Sequence, residues 1–261
     1  AELQVTPGAA AAQIKALEQE IGAALFVRHA KGVRLTATGQ PALPGFVAAF
    51  DQLGTAVRDL RRDAAPGRIH IAALPALAQL WLAPRLPQLR EKLSEIDISV
   101  TALETPPNLK RVPFDLCLFY CDSVPDNGIA FAGDELLPVC TPALAKALKQ
   151  PRDLKEAVCL TDTAWADDWR IWADEAMPGE GFAPRGPVFS LYALVVEEAL
   201  NGAGVLMAHR SLVADQLAAG TLVAPLAAVV PLQRQICLWT LPASRGKGAA
   251  GQVLQALRQM G

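Results

Sequence analysis

Residues able to do covalent chemistry are sparse and scattered in this sequence. The three histidines, His29, His70 and His209, stand far apart, and no Ser-His-Asp order marks a nucleophile elbow. Gly-x-Gly-x-x-Gly, a phosphate-loop Gly-Lys-Ser/Thr and His-Glu-x-x-His are absent, and Gly202-Ala203-Gly204 fits a helix-to-strand turn better than a nucleotide loop. Cys117, Cys121, Cys140, Cys159 and Cys237 are odd in number and spread through apolar segments, as expected of reduced core thiols in a cytosolic protein. A strand spacing of four puts Cys117 and Cys121 on one face but too far apart for an easy disulfide, and no second pair has zinc spacing. No catalytic residue, cofactor or metal is expected. Trp165, Trp169 and Trp172, at helical spacing, read as a packing stripe.

What the residues do offer is polyanion binding. Arg28, His29, Lys31 and Arg34 cluster within a few positions, around Lys31-Gly32. Upstream, Thr6, Pro7, Gln13 and Lys15 fall at the start of a helical pattern. Each set alone is compatible with an ordinary solvated surface. Their order gives them weight: a capped helix, then a basic hairpin able to lie along phosphates.

The elements that must hold these groups are legible. Thr6 as N-cap and Pro7 as first helical residue start a helix whose apolar face runs Ala10, Ile14, Leu17, Ile21, and Gly22 ends it. Residues 23–36 read as two short strands around Lys31-Gly32. Thr36 then caps a long helix reaching about Arg62, with Pro41 one turn in and Pro44 deeper, so that a kink or delayed start is expected. Arg61 to Gly67, charged and ending in Pro-Gly, is the best linker in the chain.

After it the pattern alternates. Strands are expected at 68–74, 96–103, 114–120, 136–140, 204–208 and 235–241. Helices are expected at 75–93, 143–149, 193–200, 211–219 and 248–260. Such alternation implies parallel sheets with helices on both faces. At 261 residues, 52% hydrophobic and 19% charged, the chain reads as an ordered globular protein long enough for more than one domain. Each apolar run is interrupted before it could cross a bilayer, and no secretory signal is visible at the N-terminus. Net charge is −2, but in residues 1–62 the cations Lys15, Arg28, Lys31, Arg34, Arg58, Arg61 and Arg62 outnumber Glu2, Glu18, Glu20, Asp51 and Asp59. A mildly basic front on an acidic body permits nucleic-acid binding without demonstrating it.

Taken in order, these residues resemble a known family. Val5-Thr6-Pro7-Gly8, Gln13-Ile14-Lys15-Ala16-Leu17-Glu18, Leu25-Phe26 and Leu35-Thr36-Ala37-Thr38-Gly39-Gln40 are similar to the DNA-binding signature of LysR-type transcriptional regulators. Pro84-Arg85-Leu86-Pro87, Phe114-Asp115-Leu116, Leu137-Pro138-Val139-Cys140-Thr141-Pro142, Trp169 with Trp172, Gly202-Ala203-Gly204-Val205 and Ala219-Gly220-Thr221-Leu222-Val223 continue the match. The subgroup most resembled contains the glycine-cleavage and chromosomal β-lactamase activators.

The resemblance implies an α/β protein. A winged helix-turn-helix (1–36) and a linker or dimerisation helix (37–65) would precede a two-lobed effector domain (66–261) of the type 2 periplasmic-binding-protein fold. Lobe one would be 66–135 with 239–261, and lobe two 136–238. The family's first helix and most of its second would precede Ala1, so the chain reads as a fragment with weak, salt-sensitive DNA affinity. Implied partners are promoter or operator double-stranded DNA, an unidentified small-molecule effector in the interlobe cleft, and further copies of the chain as dimer or tetramer. No membrane partner is implied.

DNA contacts would fall on Thr6, Pro7, Gln13, Lys15, Arg28, Lys31 and Arg34. Ala11 and Ala12 stand where the family often has Ser and Gln, which weakens base reading. The effector would meet Pro75, Ala76 and Leu77, a helix start suited to anions, together with Phe119, Tyr120, Thr141, Thr163 and His209. Phe119 replaces an arginine frequent in the subgroup, and the Pro75 loop lacks the family's usual hydroxyl, so a weakly polar or aromatic effector, or a weakened site, is expected. Two competing readings remain: an exported solute-binding receptor of the same two-lobed fold, which would have no use for residues 5–36, and a small-molecule enzyme on an α/β scaffold.

Overall fold

The structure, a computed structural model, describes residues 6–29, 32–242 and 248–260, omitting the Ala132 side chain. The chain divides into two compact units, Ala1–Leu60 and Arg61–Gly261.

In the first unit, helix α1 spans Pro7–Ile21. The Thr6 hydroxyl accepts the Ala9 N–H at 3.2 Å, so one of the orphan donors of the first turn is satisfied by the expected cap. Gly22 ends the helix in the left-handed region at φ 73°, its N–H bonding the Glu18 carbonyl at 2.9 Å. The Glu18 side chain then accepts the N–H groups of Leu25 and Phe26 at 2.7 and 3.0 Å, fixing the path into the next element. Strands β1 (Phe26–His29) and β2 (Gly32–Leu35) pair antiparallel from Phe26↔Leu35 to His29↔Gly32. Thr36 closes this hairpin against the following helix: its hydroxyl donates to the Ala24 carbonyl at 2.7 Å and accepts the Gly39 N–H at 3.0 Å. Gly39 is obligatory there, because a Cβ would lie 2.4 Å from the Leu25 carbonyl oxygen.

Helix α2 spans Gly39–Ala64, about 39 Å at 1.5 Å per residue. Pro41 lies in the first turn, where a missing N–H costs nothing, and Pro44 lies inside the helix. Leu43, Phe46, Phe50, Leu53, Val57 and Leu60 are exposed at spacings of three and four. Leu17 and Ile21 of α1 are exposed as well, and α1 has no buried residue.

The second unit is built on a sheet of eight strands among the described residues, in the order β4-β3-β5-β10-β6-β9-β7-β8. These are β3 (Arg68–Ala73), β4 (Asp97–Ala102), β5 (Leu116–Cys121), β6 (Gly128–Val139), β7 (Cys159–Asp162), β8 (Val188–Phe189), β9 (Val205–His209) and β10 (Val230–Thr240). The alternating sequence predicts parallel pairing. The sheet is mixed: β3 pairs parallel with β4 and β5, and β7 with β8 and β9, whereas β6 and β10 run antiparallel to each other and to their outer neighbours. These two long strands cross the middle of the sheet. Both were expected only in part, at 136–140 and 235–241. Their remaining halves are broken by the exposed Gly133 and by register shifts between Pro231 and Cys237, which spoil simple alternation.

The helix expected over 75–93 is three segments: wide π-turns over Leu77–Leu82, a tight turn Ala83–Arg85, and α3 (Leu86–Lys92). Pro84 and Pro87 lack the N–H donors that an unbroken α-helix there would need. The remaining helices are α4 (Pro142–Ala145), α5 (Asp168–Ala176), α6 (Tyr192–Leu200), α7 (Ala214–Ala218) and α8 (Ala249–Arg258). A main core joins β3, β5, β6, β9 and β10 to the 77–89 segment, α6 and α8 through Ile71, Leu77, Leu82, Leu137, Val195 and Leu257. A second cluster gathers Leu136, Cys140, Trp169, Trp172 and Met207, and a third Ala72, Leu109, Cys117 and Phe119. Trp169 and Trp172 donate their indole N–H groups to the Leu160 and Ala228 carbonyls, so they pack as the spacing suggests. Trp165 precedes α5, packs partly buried against the main core and also lines an open cleft.

Candidate functional site

In the first unit, Thr6, Pro7, Gln13 and Lys15 are all exposed along α1. Gln13 and Lys15, two apart, sit about 200° from each other and flank the apolar face from opposite sides. Arg28 and Arg34 are exposed on the hairpin. Adjacency in sequence does not make them one patch, however. Arg28 is opposite Val33 and Arg34 opposite Val27, so strand alternation sends the two guanidinium groups to different faces. Lys31 lies outside the described residues.

In the second unit a cleft of about 310 Å³ opens where the C-terminal ends of two parallel strand groups meet. Leu74, Pro75 and Ala76 follow β3, and Glu104 follows β4. From the other side come Asp162 at the end of β7 with Ala164 and Trp165 after it, and Ser190, Leu191 and Tyr192 after β8. Open α/β sheets bind ligands at such strand ends, because the loops there are free to vary over a fixed scaffold. Asp162 shapes its own loop: its Oδ1 accepts the Ala164 N–H at 2.8 Å, and its carbonyl accepts the Trp165 N–H at 3.3 Å. Burial, and secondarily the charges of Glu104 and Asp168, push its carboxyl up from the ordinary 3.8.

Behind Trp165 and Tyr192 lies a buried polar network. His209, fully enclosed at the end of β9, has its Nε2 2.7 Å from Asp168 Oδ2 and its Nδ1 3.4 Å from Asp134 Oδ2. The first contact is an aligned hydrogen bond; the second is within ion-pair range without hydrogen-bond alignment. Arg234 on β10 donates to Asp168 Oδ1 at 3.2 Å, and its guanidinium lies over the Tyr120 and Trp165 rings. Tyr120 and Ser211 donate hydroxyl protons to Asp134 Oδ2 at 2.6 and 2.5 Å, and Asp134 Oδ1 accepts the Ser211 and Glu135 N–H groups.

The electrostatics follow from this wiring. Burial alone would lower the His209 value, but its contacts to Asp134 and Asp168 win and raise it above 6.5. Burial likewise opposes ionisation of Asp134, yet His209, Ser211 and Tyr120 together hold its carboxyl well below 3.8. The core of the second unit therefore sets an imidazole, whose protonated form both contacts favour, between two acidic side chains. The Trp165 ring lies 4.2 Å from that imidazole and 4.7 Å from the Tyr192 ring, so one wall of the cleft rests directly on the network.

Two sequence matches decide what this arrangement belongs to. Residues 62–261 match the LysR substrate binding domain, and residues 1–40 match the bacterial regulatory helix-turn-helix protein, lysR family. The chain belongs to the LysR family of transcriptional regulators.

Among relatives of this LysR-type regulator is the glycine cleavage system transcriptional activator of Escherichia coli K12, 32% identical over 229 residues, covering 86% of this chain and 75% of the activator. The regulator TrpI of Pseudomonas aeruginosa is 32% identical over 272 residues, covering 99% and 89%. Of solved structures, the effector domain of the transcriptional regulator AmpR from Pseudomonas aeruginosa aligns with a TM-score of 0.57 at 25% identity, covering 75% of this chain and 93% of that one. CrgA of Neisseria meningitidis aligns over 100% of this chain and 92% of its own with a TM-score of 0.60; at 18% identity it supports the fold alone. The helix-turn-helix match favours the regulator reading over the exported receptor.

Of the effector residues expected from sequence, Pro75 and Ala76 line the regulator's cleft. Tyr120 and His209 lie in the network behind its wall. The others are placed elsewhere. Leu77 is fully buried in the main core. Phe119 belongs to the cluster on the opposite sheet face from Leu118, because neighbouring strand residues alternate. Thr141 precedes α4 beside Gly202, and Thr163 is exposed, its N–H bonding the Phe189 carbonyl. Glu104, Asp162, Trp165, Ser190, Leu191 and Tyr192 were not expected in the cleft. The four-residue strand β7 and two-residue β8 that present most of them are too short to show a period. Two of the residues lining the cleft, Glu104 and Asp162, are acidic.

Proposed function

We propose that this LysR-type regulator binds operator DNA through α1, with the β1–β2 hairpin as a wing along the phosphates, and that a small-molecule effector in the cleft alters that binding. Thr6, Pro7, Gln13, Lys15, Arg28, Lys31 and Arg34 are assigned to the DNA side. Pro75, Ala76 and Trp165 are assigned to the effector side, with Tyr120 and His209 acting from behind. The observation that carries the reading is the cleft itself, whose two walls come from strand ends on opposite flanks of the β6–β10 crossover. A ligand touching both flanks is stabilised most when they close on it, which is the differential affinity that any effector needs.

Residues 66–135 with 239–261 are taken as lobe one, 136–238 as lobe two, 1–36 as reader and 37–65 as linker. The exposed apolar row of α2 supports self-association, in a dimer or tetramer, because a stripe at spacings of three and four is buried most simply against its own copy. No catalytic role is assigned, and the matched relatives are transcriptional regulators. No helix among the described residues is long and apolar enough to cross a membrane, and work in the cytoplasm fits a protein of this family.

The test is to fill the cleft. Ala164 is exposed on its rim. Ala164→Trp should leave operator binding in a gel-shift assay within about twofold while abolishing the effector-induced change in affinity. An undiminished effector response in this variant would place the effector elsewhere.

A further inference from the structure

The cleft has a charge signature of its own. Of its lining residues Glu104 and Asp162 are acidic; among the described residues no lysine, arginine or histidine lines it, Arg234 and His209 lying behind the Trp165 ring. Asp162 is only 5% exposed, and among the described residues no cation pairs with it. Elsewhere in this unit buried charge is matched: Asp134 has His209, and Asp168 has both His209 and Arg234. The Asp162 carboxyl has a hydrogen bond from the Ala164 N–H but no cation to balance its charge, and where such a group borders open space a cationic ligand is the simplest counter-charge. The remaining walls are apolar or aromatic: Leu74, Pro75 and Leu191, with the Trp165 and Tyr192 rings meeting nearly edge to face. Aromatic faces attract cations through their quadrupole and repel anions.

We propose that the effector of this cleft is a small organic cation, an ammonium group on a compact aliphatic or aromatic body, held between Glu104 and Asp162 with its body against Trp165. This rests on the reading of the cleft as the effector site and adds the charge of the ligand. Glu104 is exposed and supplies attraction at the entrance, weakened by salt; Asp162, buried, supplies the charge-assisted contact within. A carboxylate ligand in the same place would meet two like charges and have no cation to answer it.

Benzylammonium, benzyl alcohol and benzoate share a body and differ in charge, so they separate the possibilities when titrated into the full chain by calorimetry at neutral pH. The expected order is benzylammonium first, benzyl alcohol weaker by about tenfold, and benzoate without detectable binding. Glu104→Gln with Asp162→Asn, close in shape to the parent, should remove the preference for charge while leaving the melting temperature of the unliganded protein near its starting value. Benzoate binding as well as benzylammonium, or no benzylammonium binding up to about 10 mM, would overturn the proposal. Ala164→Trp separates the two levels. If it abolishes binding of whichever probe is tightest, the cleft is the site and only the charge is in question; if it leaves that binding intact, the effector-site reading itself fails.

Discussion

His209 is the residue on which the effector domain's electrostatics turn. A buried imidazole between two acidic side chains is stabilised through both contacts, and removing one partner leaves the others poorly compensated in the interior. Asp168→Asn should therefore lower unfolding stability by about 3–5 kcal/mol, read from urea denaturation, and replacing Asp134 should act in the same direction. The pH dependence has two limbs. His209 has a raised folded-state value, so its contribution is fully present below 6.5 and is lost as pH rises through that raised value. Asp134 has a depressed one, so its contribution is present above 3.8 and is lost as pH falls through the folded value. Melting temperature against pH should show a plateau in mildly acidic solution, falling on both sides, and His209→Gln should flatten the alkaline limb. None of this was legible beforehand. Asp134, Asp168 and Arg234 carry no local pattern, and His209 as a cleft liner was the nearest approach to it.

At the scale of elements, the N-terminal unit follows its local chemistry closely. The Thr6 cap, the Gly22 stop, the hairpin and the Thr36 closure all appear where the residues place them. The exposed row on α2 makes the sharpest prediction. Phe50→Glu together with Leu53→Glu should convert a self-associated species to monomer at micromolar concentration, measured by sedimentation, without loss of helix, since both side chains are exposed in the isolated chain. On the hairpin, Arg28 and Arg34 face opposite ways, so a wing lying with one face on the phosphates should use them unequally. Alanine replacements should lower the slope of log affinity against log salt by about 1 for the contacting arginine and leave it almost unchanged for the other.

Across the whole molecule, the effector domain illustrates how far local pattern reaches. The helix-capping signals, the turn glycines and most of the longer strands and helices could be read from the sequence, because each depends on neighbours a few residues away, and the family motifs carried the LysR assignment by their order; β7, β8 and α5 were not among the expected elements. The β6–β10 crossover was only half visible, since register shifts interrupt the alternation that marks a strand. The cleft was mostly hidden. Pro75 and Ala76 were legible as a loop feeding a helix, but their companions Glu104, Asp162, Trp165 and Tyr192 come from distant strand ends that meet only when the antiparallel pair in the middle of the sheet sets the two flanks edge to edge. Whether a tryptophan packs in a core or walls a binding site, and whether a carboxylate is paired or left waiting for a ligand, depends on what lies across that gap, and sequence neighbours carry no information about it.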